Sequence, residues 1–440
     1  MRLKIAETSG WGRVLRANGP MARPEKITAL RAVLKQSPAP AIGNLRSYGD
    51  AALNSAGRTI SMTRLDRFIA FDAETGVLNA EAGVTIGEIL RVFSPRGWIP
   101  AVIPGTGFAT LGGAIANDVH GKNHHGAGSF AEHVLGLDLM GTNGRIRRIT
   151  PNGNPDIFAA TMGGLGQTGI IVAAAIQLIP AGSQMMAVRE NRVDGIAEFL
   201  AMLDQSEASY SVGWIDATAK GGQLGRGILE EAEIGISADA PREKRAKSVP
   251  RDAPQFLLSP PVVRLFNHYY LRRVPAEGRR VGRTMQDFFF PLDRIHNWNR
   301  LYGKSGFHQF QCVVPQTGGS GALSEMLERI ARSRLASPLA VLKRLGDSGP
   351  GLMSFPMAGY TLAVDFPNRA NAVGLLGELE TLTAQAGGRI YLAKDSTARP
   401  ETIADMYVKR ADFARIANAA DPERALETDL VRRLRLREEP

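Results

Sequence analysis

The sequence predicts an α+β fold of two domains, and three observations predict it. The 440 residues are more than one ordinary hydrophobic core holds together. Residues 1–182 alternate short apolar runs with glycine-bearing turns, the texture of strands punctuated by a few helices. Residues 183–388 carry longer helical periods with strand-like runs between them, and 389–440 return to a short strand and a helical tail. The expected division is therefore discontinuous: 1–182 with 389–440, and 183–388.

The strands of the first region are read from RTISM, GVLNAEAGV, IRRIT and GIIVAAAIQLIP. They are separated by turn signals at Asp72–Gly76 and Thr142–Gly144. TIGEILRVFSPRG has helical spacing and stops at Pro and Gly. In the second region GIAEFLAMLDQS, GALSEMLERIARS and AVGLLGELETLTAQAG predict helices, and YSVGWIDA, FHQFQCVVP and YTLAVDF predict strands. DAPREKRAKSVPRDAPQ, residues 239–255, is charged and without apolar period, and predicts a mobile loop.

Bulk composition removes several classes of function. Hydrophobic residues are 44% and charged residues 22% of the chain, which is globular rather than disordered. Cys312 stands alone, which excludes an internal disulfide and a cysteine-rich zinc site. The N-terminus lacks an apolar stretch with a small-residue cleavage site, and no apolar run is long enough to span a bilayer. The expectation is a cytoplasmic or periplasmic protein, soluble or peripheral to the inner membrane. The net charge of +10 favours anionic partners. The basic residues are scattered and no zinc finger, helix-turn-helix or ribonucleoprotein motif is present, so nucleic acid is not the expected partner.

Four segments carry chemistry. In GNLRSYGD (Gly43, Asn44, Leu45, Arg46, Ser47, Tyr48, Gly49, Asp50) two glycines flank a polar centre, a loop able to gather backbone N–H groups around an anion. Alone it would be any tight turn. In the second segment, Ile103 to His125, Pro104 and Gly105 make a turn and Thr110 caps a helix whose first turn, Leu111-Gly112-Gly113, lacks bulk. Such a start is expected to offer unpaired N–H groups to a pyrophosphate. The helix runs into Asn117, Asp118, Val119 and His120, followed by Lys122, His124 and His125. A metal site competes for this cluster, but no carboxylate or cysteine stands at the spacing of a zinc signature. His124 and His125 read more simply as backbone-bonded histidines.

The third segment, Gly164 to Gly169, matches G-x-G-x-x-G. A nicotinamide-dinucleotide turn needs a strand before the glycines and a helix after them. Here DIFAATMGG reads as helix and IIVAAAIQLIP as strand, so the order is reversed and that reading is rejected. The fourth segment, GGRIYLAKDS, places Lys394 after a short strand with Tyr391 three residues earlier.

Together RSYGD, PGT followed by T-x-GGAIA, HGKNHHGAGSF, GG-x-G-x-TGII and AKDS resemble the FAD-linked oxidases of the vanillyl-alcohol oxidase type. Within them the similarity is to the branch that oxidises a polyprenylphosphoryl ribose. Further matches at LLSPP, PLDRIHNWNRLYG and SFPMAGYTLAVDFP extend the resemblance over nearly the whole chain, weakest around 220–285. It implies an FAD-binding domain of two α/β subdomains and a substrate domain with an antiparallel sheet and flanking helices. It implies that Gly43–Asp50, Gly105, Thr110–Gly113, Asn117–His120, Ile171 and Tyr391 wrap the FAD. Lys394 and His120 would be catalytic, and Tyr48, Lys122, Trp214, Gln311, Lys343 and Lys394 would bind substrate.

Relatives that anchor FAD covalently carry His where this chain has Arg46, so non-covalent FAD is expected. At Ala363 the chain departs from relatives that have Cys beside the pocket. The implied reaction delivers hydride from the ribose 2-carbon to flavin N5. The product is a keto sugar that a separate short-chain dehydrogenase reduces, a step of cell-wall arabinan synthesis. Two alternatives stand beside it: a sugar-lactone or alditol oxidase using oxygen, and a non-catalytic binding protein on a flavin fold.

Overall fold

A computed structural model describes residues 3–236, 245–335 and 337–438. Two sheets come from the first region. The smaller has β1 (Lys4–Ser9), β2 (Arg16–Ala22), β3 (Ala41–Ile42) and β4 (Thr59–Ser61) in the order β1-β2-β4-β3, an antiparallel hairpin continued by parallel pairs. The larger is antiparallel, with β5 (Phe68–Phe71), β6 (Val77–Glu81), β7 (Trp98–Pro100), β8 (Val134–Met140), β9 (Ile146–Ile149) and β10 (Ile170–Pro180). Its central strand β10 is buried over most of its length, which is why IIVAAAIQLI reads as an unbroken apolar run.

The expected turns form as read. Asp72 closes one by accepting from Gly76 N–H, and Gly76 itself has φ +75°. The predicted helix at 85–97 is Ile86–Phe93, opened by a capping box between Thr85 and Glu88. The helix-loop-strand order around Gly164–Gly169 is also present: Pro155–Thr161 is helical and β10 follows.

The second region, joined by the first two residues of the third, builds one eight-stranded antiparallel sheet. Its strands are β11 (Met185–Val193), β12 (Tyr210–Ile215), β13 (Gly227–Ile234), β15 (Arg279–Thr284), β17 (Phe307–Pro315), β18 (Ala340–Leu345), β19 (Gly359–Pro367) and β20 (Arg389–Ile390). They lie in the order β15-β11-β13-β12-β18-β19-β17-β20. A two-stranded parallel ribbon, β14 (Lys247–Ser248) with β16 (Ile295–His296), stands apart. It puts order into the described part of the loop expected at 239–255; residues 239–244 of that loop lie outside the described residues.

Side chains alternate across a strand, and this sheet uses both faces. Phe310, Cys312, Val314, Leu342, Leu362 and Val364 point to one side. There the helices Gln316–Ser333 and Ala372–Gln385 cover them in the largest core. Gln309, Gln311, Val341, Lys343 and Ala363 point to the other side and floor a cavity against the first region. Every residue from Phe307 to Val314 is buried, because both faces are covered.

After β20 the chain turns back to the first region. Tyr48 N–H donates to Ala393 O, and Arg433 spans Asp50 (2.7 and 2.8 Å) and Asp395 (2.8 Å).

Candidate active site

The cavity between the large sheet and the first region measures about 1450 Å³. That exceeds an ordinary small-molecule pocket and leaves room for a dinucleotide and a second ligand. Most residues singled out in the sequence line it: Gly43 to Tyr48, Gly105, Thr110, Gly112, Gly113, Asn117, Val119, His120, Lys122, Ile171, Trp214, Gln311, Lys343, Tyr391 and Lys394. Gly166 and Gly169 from the third segment line it too.

Four expected contacts are not in the lining. Leu111 is buried in the core. The Asp118 carboxyl turns inward to Ser354 Oγ and to Ala131 N–H (2.9 Å). Gly49 and Asp50 support the loop from behind. A Cβ on Gly49 would lie 1.7 Å from Asp395 O, so only glycine lets the C-terminal segment approach this closely.

The loop Gly43–Tyr48 forms the best anion cradle. Leu45 has φ +52°, and no protein group accepts from the N–H of Asn44, Leu45, Arg46 or Ser47 among the described residues. Successive free N–H groups around a left-handed residue make a concave site for a phosphate. Gly43 carries no Cβ because Thr110 Oγ1 would lie 2.3 Å from it.

The start of helix Leu111–Ala116 corrects the expectation placed on it. Its N–H groups are already used: Leu111 donates to Val84 O (2.7 Å), Gly112 to Ala82 O (2.8 Å) and Gly113 to Thr110 Oγ1 (3.2 Å). Its glycines serve packing, since a Cβ on Gly112 would meet Ala82 Cβ at 2.9 Å. The unpaired N–H groups lie in the first segment, not the second.

Lys394 and Lys343 lie deep in the protein yet face the open cavity. Lys394 Nζ sits 3.7 Å above the Tyr48 ring. Burial brings its ammonium down to about 7; the Asp365 carboxyl opposes this and Lys343 adds to it. Burial, with Lys122 adding to it, also brings Lys343 to about 7. Lys122 falls to about 8 for the same first reason; its Nζ donates to Phe288 O (2.5 Å) and lies 3.8 Å from the Phe288 ring.

His120 is buried, and burial, followed by Lys343, His124 and Lys394, holds its pKa well below the ordinary range. It is therefore neutral. The Gln311 amide, 3.1 Å from His120 Nε2 and 3.2 Å from Thr361 Oγ1, donates to both, which assigns the ring proton to Nδ1. Nδ1, itself buried, has no partner among the described residues. Tyr391 stacks on Phe355 at 4.5 Å, and both rings pack against His120. His124 accepts from Gly346 N–H (3.0 Å), and His125 Nε2 meets Ala208 O (2.9 Å), so both bond the backbone as expected. Among the described residues, no three His, Cys, Asp or Glu side chains are grouped to hold a metal ion.

Asp365 and Asp293 were not legible as site residues, and the setting of Arg46, though the residue itself was expected in the site, was not. Asp365, buried and pushed up to about 7, accepts from Gln309 Nε2 (2.5 Å) and Tyr302 OH (3.0 Å). A lone carboxylate inside the apolar strand YTLAVDF is the signal that would have found it. Arg46 is held between the rings of Trp11 (4.2 Å) and Phe108 (4.6 Å). Asp293 ties the Pro104–Phe108 turn to the second region by accepting from Thr106 Oγ1 (2.8 Å) and Gly107 N–H (2.6 Å).

An FAD binding domain family model matches residues 21–150. Decaprenylphosphoryl-β-D-ribose oxidase of Mycolicibacterium smegmatis is 36% identical over 405 residues, 89% of this chain and 88% of the relative. An uncharacterised protein of Streptomyces coelicolor is 32% identical over 371 residues, 80% of this chain and all of that protein. D-Arabinono-1,4-lactone oxidase of Yarrowia lipolytica is 26% identical over 145 residues, 32% of this chain and 27% of that enzyme. The cavity fits what the family binds: a loop of unpaired N–H groups at Asn44–Ser47, glycines at Gly166 and Gly169 in its wall, and three lysines in its lining.

Proposed function

The chain belongs to the FAD-linked oxidases that include decaprenylphosphoryl-β-D-ribose oxidase, enzymes acting on a CH–OH group, and on that premise we propose that it oxidises the 2-hydroxyl of a polyprenylphosphoryl ribose to the keto sugar. One observation carries the substrate class. Seven Lys and Arg side chains line the cavity against three carboxylates. The carboxylates are engaged: Glu230 by Arg273 and Arg283, Asp287 by Arg294, and Asp293 by Thr106 and Gly107. The surplus positive charge rests on Arg46 and the three lysines, and the lysines, crowded together, gain most from an anion between them.

FAD held at the Asn44–Ser47 loop would supply the hydride acceptor for the carbinol carbon. The chain supplies the rest. Lys394, titrating near neutrality, takes the hydroxyl proton in its amine form. Lys343 and Lys122 hold the substrate phosphate in their ammonium forms. His120, kept neutral and oriented by Gln311, lines the cavity beside the sugar. Trp214, whose indole N–H is held by Pro338 O (2.8 Å), gives an apolar wall. A separate short-chain dehydrogenase then reduces the keto product.

The FAD is held without a covalent bond. Cys312 is buried in the helix-covered core, away from the cavity, and burial pushes its thiol up to about 12. Acid precipitation should leave all the flavin in the supernatant; flavin in the pellet contradicts this.

Anaerobic titration of the holoprotein tests the substrate reading. Polyprenylphosphoryl ribose should bleach the flavin absorbance at equivalence while ribose and sugar lactones do not. Bleaching by free lactones or alditols, with peroxide formed in air, would overturn it in favour of an oxygen-using oxidase.

A further inference from the structure

Helix Pro260–Arg272 carries two apolar stripes. Val263, Asn267 and Leu271 face the protein and are buried. Val262, Leu265, Phe266 and Tyr269, at i, i+3, i+4 and i+7, face solvent. Leu265 is 58% exposed and Tyr269 67% exposed, and Phe256, on the short turn of helix just before, is 65% exposed. Apolar side chains scattered singly on a surface need no explanation, but a full helical stripe of them does.

Along the helix and the turn before it the charge has one sign. Residues 253–273 contain no Asp or Glu, and Arg264 and Arg272 stand exposed beside the stripe. The nearest preceding acid, Asp252, is paired with Arg13 (2.5 Å). Arg251 and Lys247 extend the exposed basic border. An apolar stripe flanked by cations and free of carboxylates is complementary to an anionic lipid surface rather than to a typical protein interface.

The stripe is also continuous with the cavity. Phe266 stacks on Tyr270 at 5.6 Å, Tyr270 packs on Trp214 at 4.7 Å, and Tyr270 and Trp214 both line the cavity. We propose that this helix, with the turn at Phe256, docks the protein on the surface of an anionic bilayer, inserting the Leu265, Phe266 and Tyr269 side chains among the lipids. The cavity mouth then faces the membrane. The surface rests on its own side chains and charge, and its test uses no substrate, so its outcome is separate from that of the oxidation reading.

The test is co-sedimentation of the FAD-loaded protein with vesicles of phosphatidylcholine containing phosphatidylglycerol, compared with phosphatidylcholine alone. Wild type should bind the anionic vesicles at least ten-fold more tightly, and added salt should release it. Phe256→Asp/Leu265→Asp/Tyr269→Asp should weaken that binding at least ten-fold, with the flavin spectrum and melting temperature retained. Arg264→Glu/Arg272→Glu, which leaves the apolar stripe intact, should weaken it too and remove the preference for anionic lipid. Equal sedimentation of wild type and both variants would overturn the proposal. So would a wild-type dimer in gel filtration that the triple variant dissolves, because the stripe would then belong to a second copy.

Discussion

At the scale of the residue, a lysine drawn out of bulk water without an ion-paired carboxylate loses part of its preference for the charged form. Lys394 and Lys343 are both brought to about 7. The folded pKa lies below the ordinary lysine value, so the amine form is present above about 7 and the ammonium below it. A base at Lys394 makes kcat/KM rise as pH rises through about 7. Loss of the ammonium forms of Lys343 and Lys122 makes it fall again through about 7 to 8, so the profile should be a narrow bell in initial-rate measurements. Lys394→Met should slow substrate reduction of the flavin about 100-fold or more in stopped flow, the usual range for a lost acid–base group. Lys394→Arg keeps the charge but not the titration and should be equally slow; a fast Lys394→Arg enzyme would show that only the charge matters. Lys394 was legible because it sits in a recognisable run, AKDS. Gln309 and Asp365 were not, because strand register pairs them across 56 residues and nothing local marks the pairing.

At the scale of the element, the strands and the longer helices were legible from their periods, and the reversed order around Gly164–Gly169 was read correctly. The role of the short helix Leu111–Ala116 was not. The residue types of a phosphate-binding helix start are present, but the neighbouring Ala82–Val84 backbone consumes the N–H groups, and tertiary bonding of that kind leaves no trace in sequence. The cradle Asn44–Ser47 depends instead on its support from behind. Arg433 joins the nearly buried Asp50 and Asp395, and removing it leaves two buried carboxylates facing each other. Arg433→Ala should cost about 3–5 kcal/mol in denaturant unfolding. It should also weaken FAD retention on dilution, whereas Lys394→Met should not. Unchanged stability in Arg433→Ala would mean the tail does not brace the loop.

At the scale of the whole molecule, the cavity is shared. Its cradle belongs to the first region, its floor to the eight-stranded sheet, and its lysines to the segment Gly121–Asn123, β18 and the chain after β20. The sequence texture predicted separate regions, but not that the large sheet turns its polar face toward the glycine loops. That face is spread over seven strands, with only a few informative residues in each. No helix among the described residues is long and apolar enough to cross a membrane. A ligand gripped from both sides stabilises the assembled fold, so FAD at 100-fold over its Kd should add about 2.7 kcal/mol to unfolding of the apoprotein.

The most direct measurement is a crystal structure of the protein with FAD bound. The pyrophosphate should lie against the N–H groups of Asn44 to Ser47, with the flavin ring between His120 and Lys394 over the face carrying Gln311 and Lys343. A pyrophosphate seated instead at the start of helix Leu111–Ala116, or a flavin ring remote from Lys394, would contradict the account.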